Sequence, residues 1–133
     1  MTTRPDITKA EERCPCLSGN TFGACCGPLL SGKRHAATAE QLMRSRFTAF
    51  AVGDPAYLLK TWHRSTRPKT LELDPDRQWY RLDIVWAERG GLLDADGQVS
   101  FRAYYRHPAG AGEQAEVSRF VREDGQWCYV DAT

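Results

Sequence analysis

The chain has 133 residues, of which 41% are hydrophobic, and its 18 Lys and Arg against 17 Asp and Glu give a formal net charge of +1. This length fits one domain with at most a small appendage. A charge so close to zero provides no global field for nucleic acid or anionic lipid. The sequence has no run of 18 apolar residues and no apolar N-terminal segment, so we expect a cytoplasmic protein that does not enter a membrane.

The first informative feature is a cluster of thiols at Cys14, Cys16, Cys25 and Cys26. A disulfide scaffold would spread its cysteines along the chain, whereas these are concentrated around a glycine-rich loop. Four thiolates at this spacing predict a closed tetrahedral metal site with a structural role. Zinc suits such a site best, although the residues alone leave iron open. The alternative is a set of reduced structural or redox thiols that form disulfides on oxidation.

The distribution of residue types divides the chain into three parts. Residues 1–12 are polar and predict a flexible N-terminus. Residues 13–35 contain the thiols and few large apolar groups, so this zinc knuckle needs the metal to hold its shape. Residues 36–133 carry the remaining helical and strand patterns and predict the main domain.

Two helices are predicted at the start of the main domain. Thr38 and Gln41 have the spacing of a capping box, and Gly53 is a typical residue to end the helix. Asp54 followed by Pro55 then predicts a short second helix that runs to about Trp62.

Alternating residues predict strands in the second half of the chain, beyond a connector at residues 64–78. Tyr80, Leu82, Ile84 and Trp86 are expected to share one face of the first strand. Further strands are predicted over 99–107, 115–122 and 126–131, the last two joined by a tight turn at 124–125. The fold class is therefore α+β, with helices packed on one face of an antiparallel sheet.

Arg46 is the first candidate for a binding residue, because it falls within the apolar face of the predicted first helix. A buried guanidinium must be paired or must line a cavity. The structural interpretation is an ion pair with Asp83 or Glu116, or a snorkelling side chain. The functional interpretation is an anion-recognising residue. Arg44 lies at the edge of the apolar face, so we expect it to be solvated.

His63 and Asp83 complete the set of pocket candidates. His63 follows the second helix, where it either caps the helix or acts as a base. Asp83 lies in the first strand, and whether it points into a pocket depends on which face of the sheet is concave. The sequence contains none of the common hydrolase, nucleotide-binding or zincin motifs, which leaves cofactor-free acid–base chemistry as the enzyme class to test.

The string CPCLSGNTFGACCG resembles the SEC-C motif, a short metal-binding segment also found at the C-terminus of the SecA translocation ATPase. The usual motif reads C-P-C-G-S-G, and Leu17 stands here where the family usually has Gly. All four ligand positions are retained. By analogy with SecA, the resemblance suggests a protein or ribosome partner.

The resemblance extends over residues 14–68 and 118–131, which are similar to the YchJ-like family of small bacterial proteins. It implies an N-terminal SEC-C knuckle followed by a cone-shaped domain of the nuclear transport factor 2 (NTF2) type, with helices on a curved antiparallel sheet. The family offers no established activity to carry over.

These observations favour an interaction or adaptor protein that uses the zinc knuckle to contact a protein partner, with no catalytic role. The alternative is a small-molecule-binding protein or a cofactor-free isomerase or dehydratase using Arg46, His63 and Asp83 in the cone. A redox or metal sensor is a third hypothesis. Domains of this type often dimerise through the outer face of the sheet, but no residue here specifies a homodimer.

Overall fold

The structure, a computed structural model, describes residues 10–133, so residues 1–9 of the predicted flexible N-terminus lie outside the described part. A 3₁₀ turn precedes three helices and four strands. Their bounds are Phe22–Ala24 for the turn, Cys26–Leu30 (α1), Ala39–Val52 (α2), Pro55–Lys60 (α3), Gln78–Arg89 (β1), Asp96–Arg106 (β2), Gly112–Glu123 (β3) and Gln126–Ala132 (β4). Across residues 10–133, no helix has the length and apolar character needed to span a membrane.

The two predicted helices of the main domain are confirmed together with their caps. The Thr38 side chain accepts a hydrogen bond from the Gln41 amide, and Gly53 ends α2 in the left-handed conformation at φ 78°. The Asp54 carboxylate accepts from the Tyr57 amide at the start of α3, where Pro55 occupies the first turn. Local residue chemistry thus sets both helix boundaries.

Helix α2 is buried on two sides, which its apolar stripe alone does not predict. Leu42, Met43 and Phe47 belong to the core, and α2 crosses the sheet in contact with β1, β2 and β4. Ser45 and Thr48 are fully buried as well. Their side chains are short, so α1 and α3 pack closely against α2, and both hydroxyls have hydrogen-bond partners there.

The sheet is a four-stranded antiparallel meander in the order β1-β2-β3-β4. The turn between β3 and β4 consists of Asp124 at φ 53° and Gly125 at φ 79°, as a two-residue turn with two positive φ angles requires. Within β4, the Tyr129 amide donates to the Thr61 carbonyl, and the Tyr129 carbonyl accepts from the His63 amide. The end of α3 is thereby fixed to the fourth strand.

The predicted alternation along β1 is wrong at both ends of the strand. The register with β2 shifts between Trp79 and Arg81 and again between Ile84 and Trp86. Each irregularity changes which side chains face the helices. Tyr80 and Trp86 are consequently 40% and 44% exposed, and it is Trp79 that packs against the core.

Candidate metal centre and cone cavity

The four cysteines of the knuckle come from a tight loop and the start of α1. The Leu17 amide donates to the Cys14 carbonyl and the Cys14 amide to the Asn20 carbonyl, so the chain reverses direction around the first pair of thiols. The 3₁₀ turn then places Cys25 just before α1 and Cys26 at its first residue. Gly27 is required here, since a Cβ on it would approach the Phe22 carbonyl oxygen to 2.7 Å.

The sulfur positions fit one tetrahedral ion. All four Sγ atoms lie within 4.8 Å of one another. The Sγ–Sγ distances are 3.6 Å between Cys16 and Cys25 and 3.9 Å between Cys25 and Cys26. Sulfurs on a tetrahedral ion with metal–sulfur bonds of about 2.3 Å are about 3.8 Å apart. A disulfide would need about 2.05 Å, and all four thiols are free.

The cluster is enclosed by the protein rather than open to solvent. Cys14 and Cys16 are completely buried and Cys26 is 1% exposed, whereas Cys25 is half-buried. No position is left for a reacting water, which is the arrangement of structural rather than catalytic zinc sites. The donor set and burial therefore fit a metal ion that stabilises the fold.

Residues outside the cluster hold the sulfurs in place. Thr48 of α2 donates from Oγ1 to the Cys26 Sγ at 3.3 Å, and the Ser18 hydroxyl lies 3.2 Å from the Cys25 Sγ. Arg44 donates from Nη1 to the Cys16 carbonyl at 2.9 Å while its Nε contacts Glu40. The expectation of a solvated Arg44 was therefore wrong, because a helix-edge guanidinium can reach across to the knuckle.

The thiols of Cys14, Cys16 and Cys26 lie close enough together to shift one another's pKa values. Hydrogen bonds from Cys14 and Cys26 hold the pKa of Cys16 well below its ordinary value. The hydrogen bond to Cys16 raises the pKa of Cys14 to about 11, and hydrogen bonds to Cys14 and Cys16 raise the pKa of Cys26. One thiolate is favoured at the expense of its neighbours, so full ionisation needs a bound cation.

Leu17 at the tip of the knuckle has a strained backbone. Its φ is 62°, in the left-handed region that bulky residues rarely adopt, and its side chain is 43% exposed. The residue occupies the position where the SEC-C motif usually has Gly, and the backbone geometry explains that preference.

The second feature is a cavity of about 430 Å³ between α2, the segment 71–77 and the inner face of the sheet. Its walls are mostly apolar and include Met43, Phe47, Phe50, Trp79 and Phe101. This volume and composition are typical of small-molecule sites.

Arg46 lines this cavity and is only 4% exposed. Its Nη1 donates to the Leu58 carbonyl and to the Thr61 Oγ1, both at 2.8 Å. The guanidinium stacks on Tyr129 at 4.4 Å from the ring centre and lies 5.2 Å from Trp62. Burial lowers the pKa of Arg46 to about 10, so the group remains charged at neutral pH.

The other two candidates do not join Arg46 in the cavity. His63 accepts at Nδ1 from the Ser65 amide, so its Nε2 carries the proton and donates to Glu123 at 2.8 Å. Asp83 pairs with Arg81 two residues away in β1, at 3.0 Å. Neither His63 nor Asp83 lines the cavity, and within residues 10–133 no carboxylate forms an ion pair with Arg46. The proposed Arg46 pairs with Asp83 or Glu116 do not form.

Two family models match the chain. The SEC-C motif matches residues 12–28, and the YchJ middle NTF2-like domain matches residues 38–132. A UPF0225 protein of Corynebacterium efficiens is 52% identical over 117 residues, which are 88% of this chain and 89% of the relative. A UPF0225 protein of Streptomyces coelicolor is 47% identical over 118 residues, 89% of this chain and 92% of the relative.

The chain belongs to the UPF0225 family. This confirms the resemblance to YchJ-like proteins and the α+β fold with an NTF2-like domain. The solution structure of a SEC-C motif protein from Rhodopseudomonas palustris matches with a TM-score of 0.79 at 31% identity, covering 90% of this chain and 96% of that one. A crystal structure of a SEC-C motif protein from Psychrobacter arcticus matches at 0.70 and 27%, covering 98% and 81%.

In this UPF0225 chain, sequence reasoning named Glu116 as a possible partner of Arg46 but missed that it belongs to a row of polar residues on the inner face of β3. Gln114, Glu116 and Ser118 line the cavity at alternate positions. Ser118 is 2% exposed, and its hydroxyl has no hydrogen-bond partner among residues 10–133. The signal was present as period-2 spacing of polar residues in a strand whose next inward residue, Phe120, is core. The cavity therefore has polar groups on two facing elements, α2 and β3.

Proposed function

We propose that the four cysteines bind one zinc ion, and that this ion fixes the knuckle to α2. The enclosed arrangement of the sulfurs carries the proposal, because a water-free four-thiolate site suits a structural ion. The four sulfurs lie within 4.8 Å of one another and so fit one ion, and zinc is favoured because closed four-thiolate sites with a structural role are typical of it.

Metal analysis of protein purified without chelator tests this proposal. One zinc per chain is expected, and Cys26→Ser should lose it. Cys128→Ser is the matched control, because Cys128 lies outside the cluster. Iron in the wild-type protein, or full zinc content in the Cys26→Ser variant, would overturn the assignment.

We further propose that the metal-fixed knuckle is an interaction surface of a cytoplasmic adaptor protein. The observation that supports this role is Leu17, which combines left-handed backbone strain with an exposed apolar side chain. Strain of this kind persists where the surrounding structure enforces it and is concentrated at functional positions. Leu17 would insert into an apolar site on a protein partner.

Leu17→Gly separates the side chain from the backbone geometry, since Gly adopts φ 62° without strain. The variant should keep its zinc and its fold but lose a site-specific photo-crosslink formed in the native host from position 20, an exposed residue of the same loop. Lys69→Gly, at an exposed residue of the connector, is the control that should leave the crosslink intact. Unchanged crosslinking in the Leu17→Gly variant would remove the knuckle tip from the adaptor hypothesis.

A second candidate function is the binding of a small molecule in the cone cavity. The observation that favours this function is that a buried arginine, Arg46, lines a cavity of about 430 Å³. The position of His63 and Asp83 outside the cavity supports binding rather than acid–base catalysis by these residues. A neutral aromatic probe, 3-phenylpropionamide, should shift the indole NH signals of Trp62 and Trp79 in NMR spectra of the zinc-loaded protein.

A further inference from the structure

Among the buried residues of the described chain, Arg46 carries a charge that no opposite charge compensates. Its side chain is buried, yet its nearest partners are a carbonyl, a hydroxyl and two aromatic rings rather than a carboxylate. Cation–π contacts offset part of the desolvation cost of a guanidinium. A buried cation without a counter-ion nevertheless remains unfavourable, so an anion that enters the cavity would gain a strong partner.

Some N–H donors of the Arg46 guanidinium have no acceptor in the described chain. Only Nη1 donates to acceptors in residues 10–133, which leaves Nε and Nη2 without a protein partner there. These two nitrogens form one edge of the planar group and can donate two parallel hydrogen bonds. Such an edge matches the two oxygens of a carboxylate, whose hydrogen bonds are short and strong because both partners are charged.

The rest of the cavity restricts the kind of anion. Three carboxylates, of Glu72, Asp74 and Glu116, also line it together with a second guanidinium, that of Arg77. The lining therefore carries more negative than positive groups, which would repel a ligand with several negative charges, such as a polyphosphate, more strongly than a monoanion. The apolar walls require that the remainder of the ligand be aromatic or aliphatic. The unpaired Ser118 hydroxyl supplies one further hydrogen bond.

We propose that the cone cavity binds a small organic monocarboxylate with an aromatic or branched apolar body, and that the carboxylate is held by the free edge of Arg46. This inference rests on the second candidate function above and adds the chemical class of its ligand. Arg46 is a recognition residue here, and no bond is made or broken.

A matched probe series on the zinc-loaded full chain tests the ligand class. The probes are 3-phenylpropionate, the neutral 3-phenylpropionamide, the cationic 3-phenylpropylamine and inorganic phosphate. Binding is followed by the NMR shifts of the Trp62 and Trp79 indole NH groups and of the Arg46 Nε–H. The acid should bind roughly tenfold or more tightly than the amide, because it adds charge-assisted hydrogen bonds. The amine and phosphate should bind more weakly than the amide.

Variants then assign the preference to Arg46. Arg46→Met should lose the preference for the acid over the amide while keeping the affinity for the amide. Arg46→Lys should retain a reduced preference, since it keeps the charge without the planar edge. Arg102→Met is the matched control: it removes the same charge from an exposed residue of β2 outside the cavity and should leave the preference unchanged.

The outcomes separate the ligand class from the cavity itself. Equal binding of acid and amide would overturn the carboxylate proposal and leave the second candidate function standing. Absence of binding by all four probes at millimolar concentration would overturn both the carboxylate proposal and the second candidate function. If the Arg46→Met variant fails to fold, the acid-to-amide ratio in the wild type and a shift of the Arg46 Nε–H with the acid alone still decide the question.

Discussion

Thr48 links the knuckle to the main domain through a single buried hydroxyl. Its side chain donates from Oγ1 to the Cys26 Sγ at 3.3 Å and lies 3.9 Å from the Cys14 Sγ. A donor to a thiolate offsets part of the negative charge of a four-cysteine site and orients the sulfur. Thr48 is therefore expected to act on the metal without touching it.

Thr48→Val preserves the shape of the side chain and removes only this donor. We expect zinc affinity to fall about tenfold, as is typical when a group that supports a metal ligand is lost. Competition with a chromogenic chelator measures the affinity. Thr70→Val, at an exposed connector residue, is the control and should match the wild type. Equal zinc affinity in the two variants would show that the Thr48 side chain contributes packing but that its hydroxyl does not support the metal site.

His63 forms a hydrogen bond with a carboxylate at the protein surface. The hydrogen bond from its Nε2 lowers the pKa of Glu123 below the ordinary value of 4.5. A lowered pKa means that the contact stabilises the fold above about pH 4.5 and that this contribution is lost as the pH falls through the lowered pKa. Glu123→Gln should therefore have a lower thermal midpoint than the wild type at pH 7, and the difference should shrink towards pH 3. A difference independent of pH would contradict this role.

At the scale of elements, the β1–β2 connection depends on two glycines in close contact. A Cβ on Gly97 would lie 2.5 Å from the Gly90 Cα, which is closer than non-bonded atoms approach. The Gly90 carbonyl also accepts from the Ala39 amide, at the first turn of α2. The turn thus joins the sheet to the helix that lines the cavity.

Gly97→Ala should destabilise this connection by about 1–3 kcal/mol, because backbone atoms on both sides must move apart. Gly91→Ala is the control: its Cβ would meet only the Asp94 side chain, at 3.4 Å, and its φ is not positive. Urea unfolding of both variants measures the difference. Similar urea midpoints for the two variants would show that the turn accommodates the added Cβ without loss of stability.

Elements with a local chemical signature were predictable from the sequence, and those set by tertiary packing were not. The Thr38 cap, the left-handed Gly53 and the Asp124–Gly125 turn follow from side-chain chemistry within a few residues. The faces of β1 were mispredicted, because its two irregularities arise from pairing with β2.

At the scale of the molecule, the same distinction applies to the sites. Four thiols in 13 residues were sufficient to predict that the cysteines come together. The position of Arg46 in an apolar stripe predicted its burial, but its stacking on Tyr129 depends on how β4 lies against α2. The sequence could not exclude Asp83 from the cavity, since that depends on which face of β1 is covered. It could not exclude His63 either, because the position of His63 is set by pairing of the segment after α3 with β4.

Loss of the proposed zinc ion should weaken the packing of the core around α2 as well as the knuckle. Cys14, Cys16 and Cys26 belong to one buried cluster with Phe47 and Trp127. Chelation is therefore expected to lower the thermal midpoint by about 10 °C or more, since a structural ion contributes several kcal/mol.

The same experiment shows how far the effect extends. NMR amide signals of α2 should broaden on chelation, whereas those of the paired strands β2 and β3 should persist, because α1, which begins at Cys26, packs mainly on the 3₁₀ turn and on α2. Cys128→Ser, treated with the same chelator, should respond as the wild type does. A midpoint that does not move on zinc loss would mean that thiol packing alone holds the knuckle to α2, and the metal would then serve the surface around Leu17 rather than the stability of the fold.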